Sequence, residues 1–188
     1  MLRTAICLMA FVLATAALPP GYTLSELTWS FDPFGNGTTV NLTGTVQKVF
    51  HELHTISPAF YNKIITTPVP PTNSIERLTG NYTCGPQPGI DGRASKSAIE
   101  DGIYYLRQVP GHPWMRSGPR ACAQVSCSWN SGIWWCNDNP HFISLIWFKS
   151  IAGCAQVLCE NCVDNNWIWP SVIGQNFEKG NARVRTQF

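Results

Sequence analysis

Cysteine is the residue type with the most chemistry to offer in this 188-residue chain. Cys84, Cys122, Cys127, Cys136, Cys154, Cys159 and Cys162 run toward the C-terminal end, with Cys7 apart near the start. Thiols so placed either bridge or hold zinc. Cys159-Glu160-Asn161-Cys162 has ligand spacing, but a zinc knuckle needs a second close pair, and Cys122 and Cys127 are too far apart to supply it. A disulfide framework is therefore expected, with no metal site and no cofactor. Six of the seven later cysteines should be bridged: Cys84, Cys122, Cys127, Cys136, Cys162 and one of Cys154 or Cys159, with Cys159 taken as the bridged one. On one helix Cys154 and Cys159 would lie about 140° apart, so they cannot bridge each other.

The acid–base inventory is His112, His141, Asp138, Glu100 and Asp101. Three of the five have a structural reading. Asp138 precedes Asn139-Pro140 and would satisfy the N-terminus of a following helix. Glu100 closes a capping box that starts at Ser97, and His112 sits in a Pro-Gly-His-Pro loop. There is no Gly-x-Ser-x-Gly elbow, and His51-Glu52-Leu53-His54 is too short for the zinc-protease motif. The expectation is a protein that is not an enzyme.

Tryptophan supplies binding chemistry. Trp114, Trp134, Trp147, Trp167 and Trp169 could stack on sugar rings, while Trp135 and Trp147 read as core. Trp134 falls on the polar face of a strand pair, and Trp167-Ile168-Trp169-Pro170 is a short aromatic loop. Trp134, Trp167 and Trp169 are therefore the expected binding surface.

The start of the chain carries an address. Arg3, an apolar run from Ala5 to Leu13 and small residues through Ala17 form a secretory signal, too short to span a membrane. Residues 1–17, Cys7 included, are expected to be removed. Three sequons, at Asn36, Asn41 and Asn81, suit an exposed N-terminal part on a secretory route. Net charge is +2 with no basic run, which suggests neither nucleic acid nor an anionic membrane as partner.

Three segments have helix signals. Val46, Val49, Phe50 and Leu53 make one face of a first helix, ended by Ser57-Pro58. Ile99, Gly102, Ile103 and Leu106 make the face of a second, in which Gly102 permits close packing on a sheet. A third is expected to start at Asn139-Pro140 and run through Phe142, Leu145, Phe148, Ile151, Ala155 and Leu158 to Cys162. Its apolar surface makes it the central core helix. The Pro-rich stretch Thr66–Ser74 reads as a linker. The expected layout is a signal at 1–17, a glycosylatable extension at 18–74 and a cysteine-rich domain at 75–188.

Cys122 to Cys136 reads as two strands around Asn130-Ser131-Gly132. A two-residue Ser131-Gly132 loop would set Cys127 opposite Cys136. A three-residue loop with Gly132 left-handed fits turn chemistry better. It puts Val125, Cys127, Trp129, Ile133 and Trp135 on one apolar face, and Gln124, Ser126, Ser128, Trp134 and Cys136 on the other. That register excludes a Cys127–Cys136 bridge and points Cys127 toward Cys159 or Cys162. A last strand spans Asn181 to Arg185.

The order Asn81-Tyr82-Thr83-Cys84-Gly85, Gly102-Ile103-Tyr104-Tyr105-Leu106, Gly118-Pro119, Cys122, Val125-Ser126-Cys127 and Ile133-Trp134-Trp135-Cys136-Asn137-Asp138 resembles secreted cysteine-rich proteins of filamentous fungi. Its pattern is similar to killer-toxin-like proteins, and it covers about the last two-thirds of the chain. The resemblance implies an α+β fold, a small antiparallel sheet with helices packed on it, stapled by disulfides. It implies an effector or toxin that binds a host or competitor protein, or cell-wall carbohydrate, outside the producing cell, and it carries no catalytic residues. Cys154 and Cys159 depart from the pattern.

Overall fold

A computed structural model describes residues 18, 21–68, 81–86, 92–115, 118–165, 169–178 and 182–187. Helix α1, Val46–Ile56, buries the expected Val46, Val49, Phe50 and Leu53, and the Thr45 side chain caps it at Lys48 N–H. Ser57 ends α1 and also opens α2, Pro58–Thr66, with proline at its start. The Ser-Pro pair that reads as a stop is thus also a start. Helix α3, Lys96–Gln108, buries Ala98, Ile99, Gly102, Ile103 and Leu106. Its N-cap is Ser95, whose hydroxyl meets Ser97 Oγ at 3.0 Å and caps no N–H, and Glu100 pairs with Lys96 at 2.7 Å, so the box expected from Ser97 to Glu100 is not formed.

The apolar helix near the end of the chain, α4, is Phe148–Asn161, not a helix from Pro140. The reason is local. The Asn137 side chain donates to His141 C=O at 2.7 Å and accepts from Asn139 N–H at 2.8 Å, which fixes these residues as a loop. Asp138 accordingly caps no helix; it accepts from the Tyr22 hydroxyl. Within α4, Phe148, Ile151, Ala152, Cys154, Ala155, Leu158 and Cys159 are all buried, as a central core helix requires.

Among the described residues the strands are β1 Thr23–Leu24, β2 Thr28–Phe31, β3 Val40–Thr43, β4 Tyr82–Cys84, β5 Ala94–Ser95, β6 Trp114–Met115, β7 Ala121–Ser128, β8 Ser131–Asn137, β9 Ile143–Ser144, β10 Val163–Asp164, β11 Ser171–Val172, β12 Gly174–Glu178 and β13 Ala182–Gln187. They form three sheets, ordered β1-β7-β8-β13-β12-β4, β3-β2-β6-β9 and β10-β11-β5. The class is α+β. The main sheet is mixed, since β1 runs parallel to β7 while its other pairs are antiparallel.

The β7–β8 hairpin corrects the expected register. Its loop is Trp129-Asn130, both left-handed at φ 50° and 53°, and Ser128 pairs with Ser131. Gly132, expected in the left-handed position, is a strand residue opposite Cys127. A bulge between Gln124 and Ser126 then sets Cys122 opposite Cys136, and those two are bridged. Ile133 and Trp135 do enter the core, but Trp129, expected beside them, is 64% exposed at the hairpin tip.

α3 lies on this hairpin through Gly102. A Cβ there would meet Ser126 Oγ at 2.4 Å, so the missing side chain is what lets helix and sheet touch. Ser126 Oγ accepts from Gln47 Nε2 at 2.7 Å, and Gln47 Oε1 accepts the Cys127 N–H at 3.1 Å, clipping α1 to β7.

One core runs through all of this. Leu27, Trp29, Phe50 and Leu53 share a cluster with Ile99, Ile103, Trp135, Phe148 and Leu158, and Trp29 stacks on Phe148 at 4.1 Å. The expected boundary between 74 and 75 therefore does not divide two cores: residues 21–66 supply strands and helices to the same body as the cysteine-rich part. Most of the Pro-rich stretch itself, residues 69–80, lies outside the described residues.

Candidate functional site

Disulfides fix the frame. Cys84 of β4 bridges Cys162 at the end of α4, Cys122 bridges Cys136, and Cys127 is also disulfide-bonded. Cys154 and Cys159 are both buried and neither forms a disulfide, so two thiols stay outside the bridges where one was expected, and Cys159 is a correction. Cys127 reaches neither expected partner, because Cys159 is free and Cys162 is taken by Cys84. Burial pushes the Cys159 thiol up to about 12, with the Glu100 carboxylate adding to it. Such a thiol is a poor nucleophile at neutral pH.

The possible acid–base groups are engaged in separate places. Asp138 meets Tyr22, Glu100 meets Lys96 on α3, and the His112 ring lies 5.6 Å from Trp147. No group of three His, Cys, Asp or Glu side chains among the described residues could hold a metal ion. No helix among them is long and apolar enough to cross a membrane.

Of the expected binding tryptophans, Trp134 is a correction. It is 3% exposed, packed with the Cys122–Cys136 bridge, Leu18 and Tyr22, because β1 brings the N-terminal segment over that face. It cannot present its ring to a partner. Trp169 is 79% exposed, and Trp167 lies outside the described residues. Asn36, Asn41 and Asn81 are exposed, as glycan acceptors must be; Asn41 also accepts from Ser30 Oγ at 2.8 Å.

Two aromatic surfaces emerge. The first is β9 and its flanks. β9 is an edge strand, held on one side by β6 through Trp114↔Ser144 and Met115↔Ile143 and by Leu145 N–H to Pro113 C=O at 3.0 Å. Alternation sends Ile143 and Leu145 toward the core and leaves Phe142, Ser144 and Ile146 outside. Phe142 is 70% and Ile146 68% exposed, with Trp147 beside them at 45%. Lys149 Nζ sits 4.8 Å from the Trp147 ring centre, so this apolar stripe has a cationic and imidazole rim. The second comprises the exposed Trp169 and the hairpin-tip Trp129, whose segments both bond to the start of α3, Trp129 through Ser131 to Ser95 and Pro170 to Lys96.

Sequence reasoning missed both Trp129 and the β9 stripe. Phe142 and Ile146 fit the helical spacing of α4 extended backward, and only the pairing with β6 removes them from it. No known protein family, curated protein or solved structure matches the chain.

Proposed function

We propose that this is an exported, disulfide-stapled protein that acts by binding a protein of a host or competitor, without turnover, in the manner of killer-toxin-like effectors. The observation that carries the reading is the β9 edge. Phe142, Ile146 and Trp147 are large apolar side chains left outside on the residues flanking β9, a strand that among the described residues ends its sheet. β9 is itself short, as edge strands tend to be, but it carries no charge and has no strand on its outer side among the described residues. An edge that keeps apolar chains in alternation suits addition of a partner strand, with main-chain bonds for affinity and the side chains for choice. An aromatic centre with a polar rim is the composition of a protein-contact hot spot. Signal cleavage after Ala17 and glycans at Asn36, Asn41 and Asn81 belong to the same reading.

The test is infiltration of purified protein into host tissue together with deletion of its gene in the producer. Phe142→Asp and Ile146→Asp should abolish the tissue response with the fold intact, and a photo-crosslinker at Ser144 should join one discrete partner protein. The competing reading is a hydrolase of host or cell-wall polymers. It is favoured if deletion leaves virulence and competition untouched while the culture supernatant loses a polymer-degrading activity, and if His112→Ala, Asp138→Asn or His141→Ala removes that activity.

A further inference from the structure

The small sheet has two unlike faces. Val172 and Ala94 point into the core with Val163 beside them, and the alternate residues Asp164, Ser171 and Ser95 pair across the strands in one outward row. The Ser95 and Ser97 hydroxyls lie 3.0 Å apart at the end of that row. On one side Ser95 N–H donates to Ser131 Oγ at 2.9 Å, and Ser131 Oγ donates to Trp129 C=O at 3.2 Å. On the other, Lys96 N–H donates to Pro170 C=O at 3.0 Å, next to Trp169. The Ser95 end of the row is thus linked to Trp129 C=O through the Ser131 hydroxyl and, at Lys96, to the residue after Trp169; the two tryptophans are 64% and 79% exposed.

We propose that Trp129, Trp169 and the Asp164–Ser171–Ser95 row to which their segments are bonded form a binding site for a neutral carbohydrate. Three features choose this ligand. Exposed aromatic rings offer apolar platforms for the C–H faces of sugar rings, and the hydroxyls and carboxylate offer donors and acceptors to sugar hydroxyls. Charge is balanced: Arg93 pairs with Asp164 at 3.8 Å and Lys96 with Glu100 at 2.7 Å, so the surface favours neither a polyanion nor a polycation. Finally, Trp129 is a bulky residue held at φ 50°, where Asn or Gly would sit without strain. Strain kept at an exposed tip is of the kind that functional contacts retain.

This site shares no residue with the β9 edge, so it stands or falls apart from the protein-contact reading. The experiment titrates the full chain with chitohexaose, cellohexaose and laminarihexaose, following indole NMR signals and calorimetric heat. At least one should bind in the micromolar to millimolar range. Trp169→Ala and Trp129→Asn should each weaken it about tenfold, while Phe34→Ala, at an exposed aromatic outside both surfaces, leaves it unchanged. Trp129→Asn suits a left-handed turn position, so this variant should unfold no more easily than the parent while losing affinity. Absence of binding to all three sugars, binding indifferent to both replacements, or binding only of a sulfated polyanion lost on Lys96→Ala would each overturn the proposal.

Discussion

Replacing Gly102 by alanine sets two effects of opposite sign against each other. In an exposed helix interior the change would stabilise by about 1 kcal/mol through propensity alone. Here the new methyl would lie 2.4 Å from Ser126 Oγ, 3.1 Å from Ser126 Cβ and 3.0 Å from Ile133 Cδ1. Rotating the serine would move Oγ, but Cβ would stay too close, and Oγ would abandon Gln47. Losing that hydrogen bond costs about 0.5–1.5 kcal/mol, and overpacking costs about 1–3 kcal/mol more. The net is a loss of roughly 1–3 kcal/mol, which lowers the melting temperature by about 2–4 °C per kcal/mol in a chain of this size. Denaturant unfolding of parent, Gly102→Ala, Ser126→Gly and the double variant measures it, with the midpoint falling at constant slope. Ser126→Gly clears the space, so the double variant should be no less stable than Ser126→Gly alone. A Gly102→Ala protein more stable than the parent would refute the close contact of α3 with the hairpin.

Non-reducing peptide mapping should recover Cys84–Cys162 and Cys122–Cys136. The two bridges close sequence separations of 78 and 14, so breaking the first by a double serine variant should destabilise by about 1.5 kcal/mol more than breaking the second. The Cys159 thiol should resist iodoacetamide at pH 8 in the native protein and react on unfolding; rapid native labelling would contradict its burial. Because that thiol ionises near 12 when folded and near 9 when unfolded, the unfolded chain loses its proton first, and stability should fall as pH rises from about 9 to 12. The parent should lose more stability over that window than Cys159→Ala. Trp134→Ala should cost about 3–5 kcal/mol of stability, as a buried tryptophan does, against little change for Trp169→Ala.

What could be read from residue order was what local periodicity determines. The face of α1 and that of α3 follow from 3.6-residue spacing, and Gly102 marks a close approach before any sheet is known. The final strand is displaced by only a residue or two. Pairings between distant segments left no such trace. Nothing in Ile143-Ser144 announces Trp114-Met115 as its neighbour, so Phe142 and Ile146 read as helix. The hairpin failed for a different reason: Gly132 is the residue that turn chemistry selects for a left-handed position, yet Trp129 and Asn130 take it. Trp134 was placed correctly on the face away from the core, and what covers it comes from Tyr22 and Leu18, more than a hundred positions earlier.

The position of β13 has a consequence for biosynthesis. Although it is the last strand in the chain, it lies in the interior of the main sheet, between β8 and β12. Until Gln187 has been made, β8 keeps an unpaired edge, and β12 with β4 has nothing to join. At about 5–20 residues per second, the ribosome needs roughly 3–10 s to travel from the end of β8 to the end of β13. Over that interval a strand bearing Ile133, Trp134 and Trp135 is open to the wrong neighbour. Closure of the sheet therefore waits for β13, and a chain lacking that strand would leave two unjoined half-sheets. Synthesis of β13 sets the earliest time at which this sheet can close, and protection of β8 before that moment decides how much of the molecule is recovered.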